Sequence, residues 1–222
     1  MTPIQVYEHL YDYYGPQGWW PANSPFEVML GAILTQNTAW INVEKAINNL
    51  KGGNALSPDS IINTSHEQLA EWIRPSGYFN IKSERLQNFC RWYLDHGKFE
   101  ALNKLDTVSL RHRLLEINGV GPETADDMLL YAFERPIFVI DAYTRRLFSR
   151  LQLISGEEGY ESARQYFEHN LSKHEGKVTL FNEYHALIVV HAKDHCRKRP
   201  ICNKCPVYDE CKYVTKMNRG LA

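Results

Sequence analysis

The sequence predicts an all-α fold, and three features of the chain lead to that prediction. Apolar residues return every three or four positions in several segments, such as 26–34 and 86–93, which is the spacing of one face of an α-helix. No segment alternates apolar and polar residues over strand length, except weakly at 137–140. Segments rich in glycine and proline divide the 222 residues into pieces of ordinary helix length.

Composition narrows the class of protein. Hydrophobic residues make up 44% of the chain and charged residues 23%, which is typical of a globular protein and excludes a disordered or collagen-like chain. The formal net charge of −1 gives no general reason to expect a nucleic-acid partner. No apolar stretch, including the one at 186–190, is long enough to span a bilayer. We therefore expect a soluble cytoplasmic protein without membrane contact.

The predicted helices follow in order from this pattern. A first helix occupies the N-terminal segment, and a strongly apolar helix begins at Pro25, because proline is favoured at the first helical position. A later helix covers 86–93 and contains Cys90 between apolar neighbours. A lone cysteine in such a pattern is usually a small core residue, so we assign Cys90 no function.

A tight turn between two helices is predicted at 114–125, which reads Leu-Leu-Glu-Ile-Asn-Gly-Val-Gly-Pro-Glu-Thr-Ala. Gly119 and Gly121 permit unusual backbone conformations, and Pro122 begins the next helix. With Val120 between them, these glycines can leave backbone amides open to an anion such as a phosphate. An ordinary helix-to-helix turn is the alternative.

A single aspartate follows the weakly alternating segment. Asp141 comes directly after Phe-Val-Ile and directly before the next predicted helix. Aspartate is a good helix N-cap, so a structural role is possible on these grounds alone. Its place after an apolar stretch nevertheless makes it the candidate catalytic carboxylate.

Four of the five cysteines lie within sixteen residues, and they indicate a metal site. The alternative, a set of disulfides, needs an oxidising compartment that nothing else in the sequence supports. The cysteines are Cys196, Cys202, Cys205 and Cys211.

The same region is basic. Residues 190–222 contain eight Lys/Arg against three Asp/Glu. Arg197, Lys198 and Arg199 lie between two of the cysteines, so a metal site would make them a rigid basic loop. We expect this loop to contact DNA phosphates, with a merely solvated surface as the alternative.

Together the hairpin, Asp141 and the four cysteines resemble the endonuclease III family of helix-hairpin-helix DNA glycosylases over nearly the whole chain. The resemblance implies a six-helix domain at 25–133 with the hairpin at 110–133. It implies a second helical domain, from 1–24 and 134–222, with the cysteine cluster at 196–211, and DNA bound in the groove between the domains. It also implies a [4Fe–4S] cluster on the four cysteines. Their first spacing is one residue shorter than the family pattern, and zinc is the alternative.

One residue departs from the bifunctional members of that family. Glu123 stands where those enzymes carry a lysine that attacks the sugar and forms a Schiff base. A carboxylate cannot form this adduct, so the resemblance implies hydrolysis by Asp141 alone, without strand cleavage. Glu123 is assigned to the base pocket, with a first-turn helix residue as the alternative.

Other residues resemble the 3-methyladenine DNA glycosylase III branch of the family. The segments Gly-Trp-Trp-Pro at 18–21 and Leu-Thr-Gln-Asn-Thr-Ala-Trp at 34–40 imply that aromatic rings flank an extruded base. An alkylated purine is cationic and is attracted by such ring faces. The implied pocket residues are Trp19, Trp20, Trp40 and Lys193. Packing between domains is the alternative for the tryptophans, and a phosphate contact for Lys193.

The family also inserts side chains into the duplex to keep the base extruded. The matching segments here are 36–37 and 77–82. We expect Gln36 and Asn37 to contact DNA, with Asn37 and Tyr78 as the inserted side chains, and Lys82 to contact a phosphate.

The sequence thus predicts a monomeric DNA glycosylase that excises damaged, alkylated purines from double-stranded DNA. A bifunctional enzyme for oxidised pyrimidines, with abasic-site lyase activity, is one alternative. A non-catalytic protein that binds damaged DNA is the second, and a zinc-stabilised DNA-binding module is the third.

Overall fold

A computed structural model of the chain describes residues 1–19 and 24–218, the last three of them by their backbone alone. The all-α prediction is confirmed, because the described residues form helices and no strand. A short 3₁₀ helix covers Arg74–Ser76. The α-helices are α1 (Pro3–Tyr14), α2 (Pro25–Leu34), α3 (Trp40–Gly52), α4 (Pro58–Asn63), α5 (His66–Trp72), α6 (Phe79–Asp95), α7 (Lys98–Leu102), α8 (Thr107–Leu115), α9 (Pro122–Tyr131), α10 (Ala142–Arg150), α11 (Tyr160–Asn170), α12 (Lys177–Asp194) and α13 (Lys212–Asn218).

The chain forms two compact units. The first, which we call the hairpin unit, is Ala22–Arg135, and the second, the cysteine unit, combines Met1–Pro21 with Pro136–Ala222. The hairpin unit has eight described α-helices, two more than the six expected. Three of the eight, α4, α5 and α7, have seven residues or fewer. In the described ranges, no helix is long and apolar enough to cross a membrane.

Helix α2 forms the centre of the hairpin unit. Every side chain from Glu27 to Leu34 is buried, and the helix packs against α3, α6 and α9. It begins where Ser24 accepts a hydrogen bond from the amide of Glu27 at 3.2 Å, with Pro25 in the first helical position. Helix α6 contributes Phe89 and Cys90 to the same core. Burial raises the pKa of the Cys90 thiol, so it is an unreactive core residue, as expected.

In the cysteine unit, α12 packs against α1 and α10. Around it, Phe138 stacks on Phe167 with ring centroids 4.6 Å apart and meets Tyr184 edge-on. The segment 137–140 is buried and lies outside any helix, so it acts as a short connection through the core. Its burial determines where Asp141 emerges, at the start of α10.

Candidate functional site

Asp141 is the N-cap of α10. Its Oδ1 atom accepts a hydrogen bond from the amide of Thr144 at 2.7 Å, which satisfies one of the free amides at the helix start. The residue is only 9% exposed. The cap uses one carboxylate oxygen, and the second oxygen faces elsewhere.

The second oxygen of Asp141 faces a histidine of α12. The distance from His185 Nε2 to Asp141 Oδ2 is 3.6 Å, which is within ion-pair range but longer than a good hydrogen bond. His185 is itself buried. The ring of Trp19 lies edge-on to the imidazole, with centroids 6.0 Å apart. A carboxylate, an imidazole and an indole therefore share one site in the cysteine unit.

These neighbours keep the carboxylate ionised. Burial alone would raise the pKa of Asp141, because a charge is poorly solvated inside a protein. The interaction with His185 and the hydrogen bonds of Thr144 outweigh burial, so the pKa of Asp141 lies below its ordinary value of 3.8. A buried negative charge is therefore available at neutral pH.

The helix-hairpin-helix prediction is confirmed by α8, α9 and the turn between them. Gly119 has a φ of 94°, and a Cβ atom there would collide with the side chain of Arg85, so both backbone and space require glycine. Gly121 is the N-cap of α9, which has no side-chain cap. Val120 needs a correction, because its amide donates to the carbonyl of Ile117 at 3.0 Å and is not open to an anion.

The side chain of Gln36 is hydrogen-bonded inside the hairpin unit. Its amide nitrogen donates to the carbonyl of Gly119 at 3.0 Å and to the hydroxyl of Thr124 at 2.9 Å. Its amide oxygen accepts a hydrogen bond from the guanidinium of Arg85. Both ends of the side chain are thus engaged inside the hairpin unit, where Gln36 holds the turn of the hairpin. The side chain is half-buried, and its contact with DNA stays a prediction.

Asn37 and Tyr78 each combine a left-handed backbone with an exposed side chain. Both have left-handed backbone conformations, with φ values of 56° and 47°, which non-glycine residues rarely adopt. Both side chains are exposed, and Tyr78 is 66% exposed. The two residues therefore have the exposure that insertion into a duplex requires.

The expected phosphate contact of Lys82 is wrong. The residue is 1% exposed, and its Nζ atom donates to the carbonyls of Leu34 at 2.8 Å and Ser76 at 2.7 Å. Burial, with a smaller effect of Arg85, lowers the pKa of Lys82 to about 8. Its ammonium group binds the backbone of its own unit and cannot reach a phosphate.

The remaining pocket candidates lie in different places. Trp40 begins α3, and its ring nitrogen donates to Glu44 at 2.9 Å. Glu123 is an exposed first-turn residue of α9. Lys193 is exposed near the end of α12. Trp20 lies outside the described residues.

The basic loop is held from beneath by an arginine of α10. Arg150 donates to the carbonyls of Arg197 at 2.6 Å and Lys198 at 3.0 Å. The side chains of Arg197, Lys198 and Arg199 are exposed. These hydrogen bonds restrain the backbone of the loop, and therefore also the positions of its positive charges.

The four clustered cysteines line one small cavity of about 20 Å³, together with Arg150 and His191. Arg150 donates to the Sγ atom of Cys196 at 3.2 Å, and His191 Nε2 lies 3.9 Å from the Sγ atom of Cys205. Among the described residues, no three His, Cys, Asp or Glu side chains are close enough to hold one metal ion. All four thiols thus border the same small space in the cysteine unit.

Sequence reasoning missed His185, Arg85 and Arg150. Each is a polar residue in a helix that is otherwise packed against the core, and that contrast is the only local signal. A lone histidine within Tyr-His-Ala-Leu at 184–187 indicates a buried polar group. The sequence does not identify its partner, Asp141, which is 44 positions earlier.

Comparisons with known proteins agree with this geometry. Residues 30–173 match the model of the HhH-GPD superfamily of base excision DNA repair proteins. A protein of Methanocaldococcus jannaschii that is named as a DNA repair glycosylase is 49% identical over 93% of this chain and 94% of its own length. Endonuclease III of Sulfolobus acidocaldarius is 31% identical over 85% of this chain and 82% of its own.

Solved structures show the same fold. The 3-methyladenine DNA glycosylase of Helicobacter pylori, bound to 1,N6-ethenoadenine, superposes with a TM-score of 0.75 at 29% identity, over 87% of this chain and 98% of that chain. An endonuclease III–DNA complex superposes with a TM-score of 0.81 at 21% identity, over 99% of both chains. The chain belongs to the HhH-GPD superfamily of base excision DNA repair proteins. Within it, the protein is a DNA glycosylase of the endonuclease III family.

Proposed function

We propose that this glycosylase is monofunctional and hydrolyses the N-glycosidic bond of alkylated purines in double-stranded DNA. The observation that carries the proposal is the buried carboxylate of Asp141, which its neighbours keep ionised. A negative charge fixed in a poorly solvated place stabilises a developing positive charge far more than one in water. The product is DNA with an abasic site.

In the proposed reaction, the bond between the base and the sugar C1′ breaks first, and the electron pair leaves with the base. Asp141 stabilises the cationic sugar, and a water molecule then adds its oxygen to C1′ and releases a proton. His185 limits the motion of the carboxylate, because it packs against Oδ2 while the Thr144 amide binds Oδ1. An alkylated purine is already cationic, so it leaves as a neutral base.

The absence of lyase activity is proposed from Glu123. Its carboxylate cannot attack the sugar as an amine does. At the start of α9 it is instead a residue that the helix dipole favours. We therefore expect intact strands after base release.

The alkylated-purine class is supported by the H. pylori structure, which holds ethenoadenine. Trp19 is proposed to contact the base, since its ring lies against His185 beside Asp141. Trp20, Trp40 and Lys193 also remain proposed base contacts. Aromatic faces favour a cationic purine over a neutral one.

For DNA binding, we propose that the protein acts as a monomer. Gly119 and Gly121 of the hairpin and the exposed side chains of Arg197, Lys198 and Arg199 are assigned to phosphates. Asn37 and Tyr78 are assigned to the gap that an extruded base leaves.

We also propose that Cys196, Cys202, Cys205 and Cys211 hold a [4Fe–4S] cluster, which would cross-link the C-terminal segment to the rest of its unit. Cys202→Ser is expected to lower the brown absorbance and the iron content of the purified protein, whereas Cys90→Ser is not. A colourless wild-type protein containing zinc would favour a zinc site instead.

The experiment that tests the reaction is a base-release screen on duplexes with methylated purines, ethenoadenine, deaminated bases or oxidised pyrimidines. We expect release of alkylated purines, with strand breaks only after alkali. Binding to the same duplexes without release of any base would favour a non-catalytic damage-binding protein.

A bifunctional enzyme is the second candidate, because the S. acidocaldarius relative at 31% identity is an endonuclease III. Borohydride reduces a Schiff base to a permanent protein–DNA link. Trapping with wild-type protein on an oxidised-pyrimidine duplex would establish this candidate over the first.

A further inference from the structure

The ammonium group of Lys82 connects two segments that are more than forty residues apart in the sequence. One nitrogen lies within 2.8 Å of the carbonyl oxygens of both Leu34 and Ser76. Leu34 ends α2 and Ser76 ends the 3₁₀ helix. Carbonyl groups at helix ends lack partners within the helix, and a cation there is favourable. Lys82 therefore joins the ends of two helical segments.

Each of these carbonyls lies just before one of the two residues proposed to enter the duplex, both of which have a left-handed backbone. Asn37 follows Leu34 by three residues, and Tyr78 follows Ser76 by two. A non-glycine residue keeps a left-handed backbone only if the surrounding structure holds it there. The bonds of Lys82 fix the chain immediately before both residues.

The same helix restrains the first segment at a second point. Arg85, one turn after Lys82 on α6, donates to the side chain of Gln36, which in turn binds the hairpin carbonyl of Gly119. Tyr78 itself is the N-cap of α6. Helix α6 thus carries one of the exposed residues and anchors the segment that carries the other.

We propose that Lys82 is a positioning residue that holds Asn37 and Tyr78 in a fixed relative placement, so that both enter the duplex together when a base is extruded. This inference rests on the proposed insertion of Asn37 and Tyr78. Opening a stacked duplex costs energy at each step. If Lys82 already holds the segments of both side chains in place, no further conformational entropy is lost when they enter the duplex.

The first test uses the full chain and Lys82→Met, which keeps an unbranched side chain and removes the donor. The probe is a duplex with a stable tetrahydrofuran abasic site next to 2-aminopurine, whose fluorescence rises when stacking is lost. Saturating wild-type protein is expected to raise the fluorescence. Lys82→Met is expected to bind with an affinity within about threefold of wild type, because no phosphate contact is lost, and to lose most of the fluorescence rise.

Lys104→Met is the matched control, since Lys104 is an exposed lysine of the same unit; it is expected to keep the full rise. If Lys82→Met does not fold, as judged by its helical circular dichroism, Lys82→Gln retains one donor and replaces it. A full fluorescence rise with the folded variant would overturn the proposal. Failure of both variants to fold would also overturn it, in favour of a purely structural lysine.

A second test separates positioning from a general loss of stability. Single-turnover base release is measured for Lys82→Met in the wild type and in the Asn37→Ala/Tyr78→Ala double variant. We expect a loss of about tenfold to a hundredfold in the first background and almost none in the second. Equal losses in both backgrounds would show that Lys82 acts elsewhere.

The opening assay needs no base release, so it distinguishes the two proposals. Normal opening by a wild type that releases no alkylated purine would refute the substrate class and leave the role of Lys82 intact. If the wild type gives no fluorescence rise, the insertion of Asn37 and Tyr78 is refuted, and the role of Lys82 with it.

Discussion

Helices α9 and α10 differ in how the free backbone amides at their N-termini are treated. One helix has a side-chain cap and the other has none. Helix α10 starts with Asp141, whose carboxylate fills the helix end and accepts the amide of Thr144 at 2.7 Å. Helix α9 starts with Gly121, which provides no side-chain cap. The first arrangement stores a negative charge at a helix N-terminus, and the second leaves a helix N-terminus suited to an external anion.

The difference follows from one side chain at the cap position. In the cysteine unit, the stored charge is buried and faces His185, as expected of a group that stabilises a cation. In the hairpin unit, Gly121 is exposed and has no side chain, as expected of a helix end that meets a polyanion. We therefore propose a role in catalysis for the first helix end and a role in DNA binding for the second.

The largest effect on base release is expected when the negative charge of Asp141 is removed. Asp141→Asn keeps the shape of the cap and eliminates its charge, so base release should fall about 100-fold to 1,000-fold while DNA binding persists. Single-turnover kinetics on an alkylated-purine duplex would measure it.

Asp106→Asn is the matched control for that change. Asp106 caps α8 with the same geometry, accepting the amide of Ser109 at 3.0 Å, but it is exposed. Base release should be unaffected. Similar losses from both substitutions would mean that capping, and not the buried charge, is what matters.

The next largest effect, on DNA affinity, is expected when the uncapped N-terminus of α9 is given a side-chain cap. Gly121→Asp places a carboxylate at the cap of α9, so it should weaken DNA binding about tenfold by repulsion of phosphate. It should also stabilise the fold by a few tenths of a kcal/mol, roughly the difference between Gly and Asp caps. A fluorescence-anisotropy titration and denaturant unfolding measure the two quantities.

Gly159→Asp makes the same charge change at the cap of α11, which also lacks a side-chain cap. Nothing lies within 4 Å of a Cβ atom at either glycine, so steric effects are matched. If both substitutions weaken DNA binding equally, the hairpin has no special role and only the net charge matters.

A smaller effect is expected from reversing the charge in the first turn of α9. Glu123→Lys introduces an amine where bifunctional relatives carry their nucleophile, so a minor borohydride-trapped adduct and some strand cleavage should appear. The yield should be low, because an exposed lysine keeps its proton and is a weak nucleophile at neutral pH. Glu116→Lys, another exposed glutamate of the hairpin, should trap nothing. Strong trapping by the wild type would instead identify a different lysine.

The smallest effect concerns the pH dependence of stability. The pKa of Asp141 is lowered in the folded protein, so its carboxylate stabilises the fold above the ordinary value of 3.8. That stabilisation is lost as the pH falls through the folded pKa. Between pH 5 and the acid limit, the free energy of unfolding should therefore fall more steeply for wild type than for Asp141→Asn. Parallel slopes in urea titrations would contradict the lowered pKa.

Local features of this protein could be predicted well from neighbouring residues. The helices follow from apolar spacing, the hairpin from Gly119, Gly121 and Pro122, and the cap of α10 from an aspartate before a helical segment. Each depends on interactions within about four residues, and such interactions can be read from the sequence directly.

Long-range partners could not be predicted in this way, and the partners of Lys82 overturned one expectation. Lys82 and Gln36 are polar residues beside segments assigned to DNA, so contact with DNA was the natural expectation for each. The structure gives them partners inside their own unit, up to 88 residues away. Val120 lost its expected role for a local reason, because its amide closes the turn by donating to the carbonyl of Ile117, three residues earlier.

The sequence by itself determined the helical class, the hairpin, the candidate carboxylate and the clustered thiols. Only the tertiary structure decided which polar groups meet: His185 with Asp141, Lys82 with two helix ends, and Arg150 with the cysteine loop. The physical reason is that a buried polar group must find a partner wherever packing brings one within hydrogen-bond distance. Packing joins residues that are far apart in the chain, so no local pattern records the pair.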